Sequence, residues 1–244
     1  MRNVKVVVEY DGTDYFGFQY QPGVPTIQGE LERVLSTIVK RKVTVYGSGR
    51  TDAGVHAAGQ VINFRIGDGI PTERICAAMN SLLPKDIAVL SAAEVEDDFH
   101  ARYSAVSRLY RYDILCRSVR SALEGRFSWH VDRALDVDSM RVGAKCLVGV
   151  HDFSSFWCAK GADDCPIRDM ISVEVSERGE HVIIEMRANA FLRSMVRVIV
   201  GTLVDVSLGK LAGSDVCDIL EARDRRAAGK TAPPQGLCLV EVEY

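Results

Sequence analysis

The residue best placed to do chemistry in this sequence is Asp52. It stands in the run Gly47-Ser48-Gly49-Arg50-Thr51-Asp52-Ala53-Gly54, a backbone of small residues that presents one carboxylate. Arg50, two positions earlier, would favour the ionised form, which suits a nucleophile better than a general acid. Two phosphate-cradling readings fail on spacing. A dinucleotide loop needs G-x-G-x-x-G between a strand and a helix, but position 52 is Asp and a strand pattern follows. A P-loop needs Gly-Lys and then Ser or Thr, which is missing. A purely structural turn stays open, because aspartate is common in turns.

Two other places carry candidate chemistry. Strand alternation puts Arg108, Tyr110 and Tyr112 on one face with Ile114. An arginine and two tyrosines there could hold a phosphate and stack a base, whereas the bland alternative is a half-buried tyrosine with its hydroxyl in water. Arg197 lies in the nearly apolar run Met195 to Val200. A buried guanidinium is costly without a partner, so Arg197 needs a carboxylate such as Asp205 or a place on the helix surface. His151-Asp152, His56 and His100 prompt a metal-dependent hydrolase reading. No H-x-x-x-H or comparable ligand spacing supports it, and His151 is expected to be a hydrogen-bonded structural residue.

The elements that must position these residues follow from periodicity. Val4 to Tyr10 reads as a strand ended by Asp11-Gly12. Ile27, Leu31, Val34, Leu35 and Ile38 recur at helical spacing after Thr26, a suitable N-cap. Strands are predicted over Val43 to Tyr46, Gln60 to Ile66 and Ile87 to Val95, with a helix opened by Pro71. The second half repeats the order. It has a strand over Ala105 to Cys116, a helix over Val137 to Val148, and a hairpin of Met170 to Ser176 with His181 to Ala188. Helices over Phe191 to Val206 and Ser214 to Arg225 follow, then a strand over Leu237 to Val242. The fold class is therefore α+β: two ferredoxin-like β-α-β-β-α-β halves, residues 1–98 and 99–244, with mostly antiparallel sheets.

Composition sets bounds. No apolar run approaches the roughly 20 residues needed to cross a bilayer, and the amino terminus lacks the features of a signal peptide. Seven cysteines, scattered and without a C-x-x-C pair, predict reduced thiols and a cytoplasmic protein. The net charge of −3 argues mildly against nucleic-acid binding. Locally, however, Arg102, Arg108, Arg111, Arg117, Arg120 and Arg126 face only Asp113 and Glu124. That stretch reads as a phosphate-binding patch or as a solvated arginine face.

The run Gly49-Arg50-Thr51-Asp52-Ala53-Gly54-Val55-His56-Ala57-x-Gly59-Gln60-Val61 resembles the signature of the TruA-type tRNA pseudouridine synthase family. Other segments are similar in the family's order: Tyr15-Phe16-Gly17-Phe18-Gln19, Thr26-Ile27-Gln28, Leu82-Leu83-Pro84-x-Asp86-Ile87 and Phe99-His100-Ala101-Arg102-Tyr103-Ser104-Ala105. Arg108-Leu109-Tyr110-Arg111-Tyr112, His151-Asp152-Phe153-Ser154-Ser155-Phe156, Asn189-Ala190-Phe191-Leu192-x-x-Met195-Val196-Arg197 and Thr231-Ala232-Pro233-Pro234-Gln235-Gly236-Leu237 complete the set.

The resemblance implies an enzyme that breaks the uridine N1–C1′ bond, turns the base and rejoins it through C5, without metal or cofactor. It implies tRNA as partner, with target uridines in the anticodon stem-loop, and a homodimer. Its catalytic aspartate falls on Asp52, its active-site tyrosine on Tyr110 and its arginine on Arg197. Pairing of Arg197 with Asp52 would place the site in a central cleft between the halves. Arg50 and Arg108 are expected to contact substrate. A non-catalytic RNA-binding module is the rival, but RRM-type aromatic motifs are missing. Two departures stand out: Arg193-Ser194 replace an aromatic and a histidine, and Tyr46 and Ser48 stand where small residues are usual.

Overall fold

A computed structural model describes residues 1–67, 69–158 and 165–244. These form two compact units, residues 1–106 with 239–244 and residues 107–238. Five α-helices and ten strands are present among the described residues, so the architecture is mixed α+β. None of the helices is long and apolar enough to cross a membrane.

In the first unit, β1 (Arg2–Tyr10) is followed by α1 (Ile27–Val39), β2 (Tyr46–Gly47), β3 (His56–Ile66), α2 (Thr72–Asn80) and β4 (Ile87–Val95). β1 pairs antiparallel with both β3 and β4, and β2 extends the far side of β3. Val4, Val6 and Val8 alternate inward and are fully buried, as a half-covered strand requires. Ile27, Leu31, Val34 and Leu35 of α1 and Ile75 and Met79 of α2 are buried with them. Thr26 caps α1 by accepting the Gly29 N–H at 3.2 Å, which satisfies one orphan donor of the first turn.

The strand expected from Val43 shrinks to Tyr46–Gly47. The N–H of Val43 donates to Ser36 and that of Val45 to Glu32, so α1 side chains take the donors a sheet ladder would use. Residues 99–106 belong to the first unit, whereas the sequence reading assigned them to the second. The Asn3 side chain donates to the carbonyls of Glu96 and Phe99, and the Asn63 side chain accepts from Ala101 N–H. These buried amides hold the segment against β1 and β3.

The second unit contains β5 (Ser107–Cys116), β6 (Trp129–Val131), α3 (Val137–Lys145), β7 (Gly149–Asp152), β8 (Ile167–Arg178), β9 (His181–Ala188), α4 (Met195–Ser207) and α5 (Asp215–Ala222). Strand β10 (Leu237–Glu243) begins here and ends in the first unit. The order β5-β9-β8-β7 is antiparallel throughout, while β6 lies parallel to β5. β6 and β7 are short strands that no periodicity announced. α4 starts at Met195 rather than Phe191, because Ser194 adopts a left-handed φ of 59° that interrupts helical geometry.

The reading of all seven cysteines as reduced thiols is corrected at one pair: Cys146 and Cys217 form a disulfide, with Cα atoms 5.3 Å apart. Packing of α3 against α5 brings together residues 71 positions apart in sequence, which local spacing does not reveal.

Candidate active site

Asp52 sits on the connection between β2 and β3, partly exposed, and its backbone neighbours are tied down one by one. Thr51 is buried; its hydroxyl lies 2.8 Å from that of Tyr10 and its carbonyl accepts Phe18 N–H at 3.0 Å. Gly54 N–H donates to Tyr15, and Val55 N–H to the carbonyl of Asp52 itself. Gln60, fully buried on β3, accepts the Ser48 hydroxyl at 2.6 Å and donates to the Gly49 carbonyl at 3.0 Å. The loop is thus held before Asp52 by the Tyr10 and Gln60 side chains of the sheet and after it by backbone bonds to Tyr15 and to Asp52 itself, which is how a reactive group is pre-positioned.

Gly17 shows how close this packing is. It has a φ of 92°, and a Cβ there would lie 2.8 Å from the Thr51 carbonyl oxygen, so a side chain would push the loop out of place. The Tyr15 hydroxyl donates to Asp86 at 2.7 Å. Burial, followed by the bond to Asp86, pushes the Tyr15 phenol above its ordinary range. Segments 15–19 and 82–87 therefore serve as scaffolding for the Asp52 loop. Arg50 is exposed on the same loop.

In the second unit, the alternation read for β5 holds: Arg108, Tyr110, Tyr112 and Ile114 all face inward and are buried. Tyr110 meets Phe191 edge-on, with ring centroids 5.0 Å apart. Arg108 donates through Nη1 to the Asn189 carbonyl at 2.6 Å, so it braces the loop that leads into α4. Tyr112 is a structural residue rather than a stacking one. It is fully buried, its hydroxyl donates to Pro233, and its ring meets Trp129. Burial drives its phenol upward, opposed by the nearby charge of Arg197.

Arg197 occupies the first turn of α4, half-buried. Its Nε donates to the Ala232 carbonyl at 2.8 Å, and its own carbonyl accepts Ala232 N–H at 2.9 Å. Segment 229–232 lies so close to α4 that a Cβ at Gly201 would overlap the Lys230 carbonyl. Asp205, the nearby carboxylate, is engaged by Lys210 at 2.6 Å.

The histidines have local roles. His56 Nδ1 accepts Gly12 N–H, and the His151 ring bonds the Val148 carbonyl. Sequence reasoning missed the positioning residues Tyr10, Tyr15 and Gln60. A glutamine opening the strand-like stretch Val61-Ile62-Asn63-Phe64 was the available signal, since a buried amide must find partners.

The chain matches the tRNA pseudouridine synthase family over residues 6–104 and 144–244. It is 44% identical to the tRNA pseudouridine synthase A of Thermoanaerobacter sp., over 100% of both chains. It is 46% identical to that of Halalkalibacterium halodurans, over 97% of this chain and 90% of the relative. Identity to the Shouchella clausii enzyme of the same name is also 46%, over 100% of this chain and 94% of the relative.

Proposed function

Because the chain belongs to the tRNA pseudouridine synthase family, we propose that Asp52 is the carboxylate with which it isomerises uridine to pseudouridine in tRNA. The N1–C1′ bond breaks, a C5–C1′ bond forms, and the proton lost from C5 is matched by one gained at N1. Substrate and product are isomers, so the balance needs no redox partner. Asp52 adds to C1′ or to C6, or takes the C2′ proton; all three begin from one positioned carboxylate. Arg197 is the arginine that the family resemblance assigns to catalysis, Tyr110 engages the turned base, and Arg50 and Arg108 hold phosphates. The enzyme acts as a cytoplasmic homodimer on uridines of the anticodon stem-loop, as the resemblance to its family supports. Each half is ferredoxin-like, a reading supported in the first unit by the antiparallel order β4-β1-β3-β2.

The observation that carries the assignment of Asp52 is its setting: Gly49, Thr51, Gly54 and Val55 are all hydrogen-bonded in place around it. Asp52→Asn keeps the size of the side chain and every one of those backbone bonds. It is expected to abolish release of tritium from tRNA labelled at uridine C5 while the unfolding midpoint stays unchanged. Substantial turnover by homogeneous Asp52→Asn protein would sink the assignment.

A further inference from the structure

Tyr46 stands partly exposed on a two-residue strand, and the structure gives it a definite setting. Tyr46 lies on β2 opposite Asn63 of β3, one step before the Asp52 loop begins. Its ring centroid is 5.1 Å from that of His100, which in turn is 4.5 Å from that of Tyr103. The Arg102 guanidinium lies 5.6 Å from the Tyr103 ring centroid. Tyr46 is 46% exposed and Tyr103 76% exposed. Rings gathered for packing alone would be buried, because hiding their large apolar faces is what stabilises them.

The array is held by a stiff mount. Asn63 receives Ala101 N–H and bonds Asn3, whose amide holds the Phe99 carbonyl. His100 N–H donates to the Ser104 hydroxyl, Ser104 N–H returns to the His100 carbonyl, and Arg102 N–H donates to His100 Nδ1. The turn 100–104 is therefore closed on itself and pinned to the strand that pairs with Tyr46. The acidic stretch before it is partly answered: Asp97 faces Arg65 at 3.6 Å.

We propose that Tyr46, His100 and Tyr103 form a stacking platform for an unpaired nucleotide of the tRNA, with Arg102 over its outer edge. Exposed aromatic rings and a guanidinium plane are the groups on which splayed bases stack, and every base offers a flat face to them. The platform rests on the reading of the substrate as tRNA. It adds a contact beyond the reacting uridine, on the strand that leads to Asp52.

The test compares tRNA affinity, its salt dependence and steady-state kinetics for Tyr46→Ala, Tyr103→Ala and Tyr46→Phe. Each alanine variant is expected to weaken tRNA binding about five- to a hundred-fold. The slope of log affinity against log salt should not change, since no phosphate contact is lost. KM should rise more than kcat falls. Tyr46→Phe keeps the ring and should bind within about two-fold of the parent. The platform is overturned if both folded alanine variants bind tRNA as the parent does, or if Tyr46→Phe loses as much as Tyr46→Ala. It is also overturned if the alanine variants change the sedimentation coefficient and leave RNA affinity intact, which would mark a protein interface. Parent protein that binds tRNA without forming pseudouridine would remove the catalytic reading and leave the platform standing. Parent protein that does not bind tRNA would remove both.

Discussion

Arg197 and Tyr112 donate to consecutive carbonyls of one segment: Arg197 Nε to Ala232 at 2.8 Å and the Tyr112 hydroxyl to Pro233 at 2.7 Å. A residue of α4 and a residue of β5 are thereby registered against the same short stretch of backbone. Gly236 completes the arrangement, for a Cβ there would come within 2.6 Å of the Tyr112 ring and 2.7 Å of the Asp113 carbonyl.

Tyr112→Phe is expected to cost about 1–3 kcal/mol of stability, the range for leaving a buried acceptor without its donor. Gly236→Ala should cost at least as much, since backbone and ring must both move. Because the same segment holds Arg197, both variants should lower turnover more than tRNA affinity. Urea midpoints with paired kinetic measurements check this, and a Tyr112→Phe protein of parental stability would contradict it.

The Thr51–Tyr10 hydroxyl pair makes a second test, on the other unit. Thr51→Val removes one partner in a buried setting and should destabilise by about 1–3 kcal/mol. Tyr10→Phe does the same from the other side. The double variant should cost less than the two single losses added, because no orphaned hydroxyl remains. Additive losses in a double-mutant cycle would show that the pair is not coupled.

The parts of this molecule that were legible in the sequence are those set by neighbours along the chain. Thr26 and the spacing from Ile27 to Ile38 announced α1, and Ile87–Val95 is a strand with the bounds its composition predicts. The hairpin read from Met170 to Ser176 and His181 to Ala188 is present as β8 and β9, turned by Gly179 with a φ of 63°. What failed was set by distant partners. Val43 and Val45 look like strand residues, but their N–H groups go to helix side chains. Cys146 and Cys217 meet only when α3 and α5 pack. At the candidate site, spacing singled out Asp52, while its clamps Tyr10, Tyr15 and Gln60 come from other strands and loops. Alternation placed Arg108 and Tyr112 on the correct face of β5 but said nothing of depth; Arg108 is 8% exposed and Tyr112 fully buried.

His181 gives the stability a pH dependence. Its Nδ1 lies 2.6 Å from Asp113 and its Nε2 3.3 Å from Glu124. The bond to Asp113 raises its pKa from the ordinary 6.5, and Glu124 adds to the rise. A raised folded-state value means the protonated form is favoured by folding. The stabilisation is therefore complete below the unfolded value and is lost as pH climbs through the folded one. The unfolding-midpoint difference between parent and His181→Gln should be largest below the ordinary imidazole value of 6.5 and shrink as pH rises through the raised folded-state value. A difference that grows with pH would reverse the sign and refute the assignment.

Arg50 and Arg108 make contrasting tests of the RNA path. Arg50 is exposed on the Asp52 loop, so Arg50→Ala should leave stability within about 0.5 kcal/mol of the parent. If it holds a phosphate, tRNA affinity should fall and the slope of log affinity against log salt should shrink by about one unit. Arg108 is buried and donates to Asn189 at 2.6 Å, so Arg108→Ala carries two effects. The same reduction in slope is expected from the lost charge, together with about 1–3 kcal/mol of lost stability as the Asn189 carbonyl gives up its donor. Arg111, on the exposed face of β5, is the control: it faces away from Tyr110, and its alanine variant should change affinity less than Arg108→Ala. Should neither Arg50→Ala nor Arg108→Ala alter the slope, the phosphates of the tRNA run along other residues, and both arginines serve only to shape the loops they stand on.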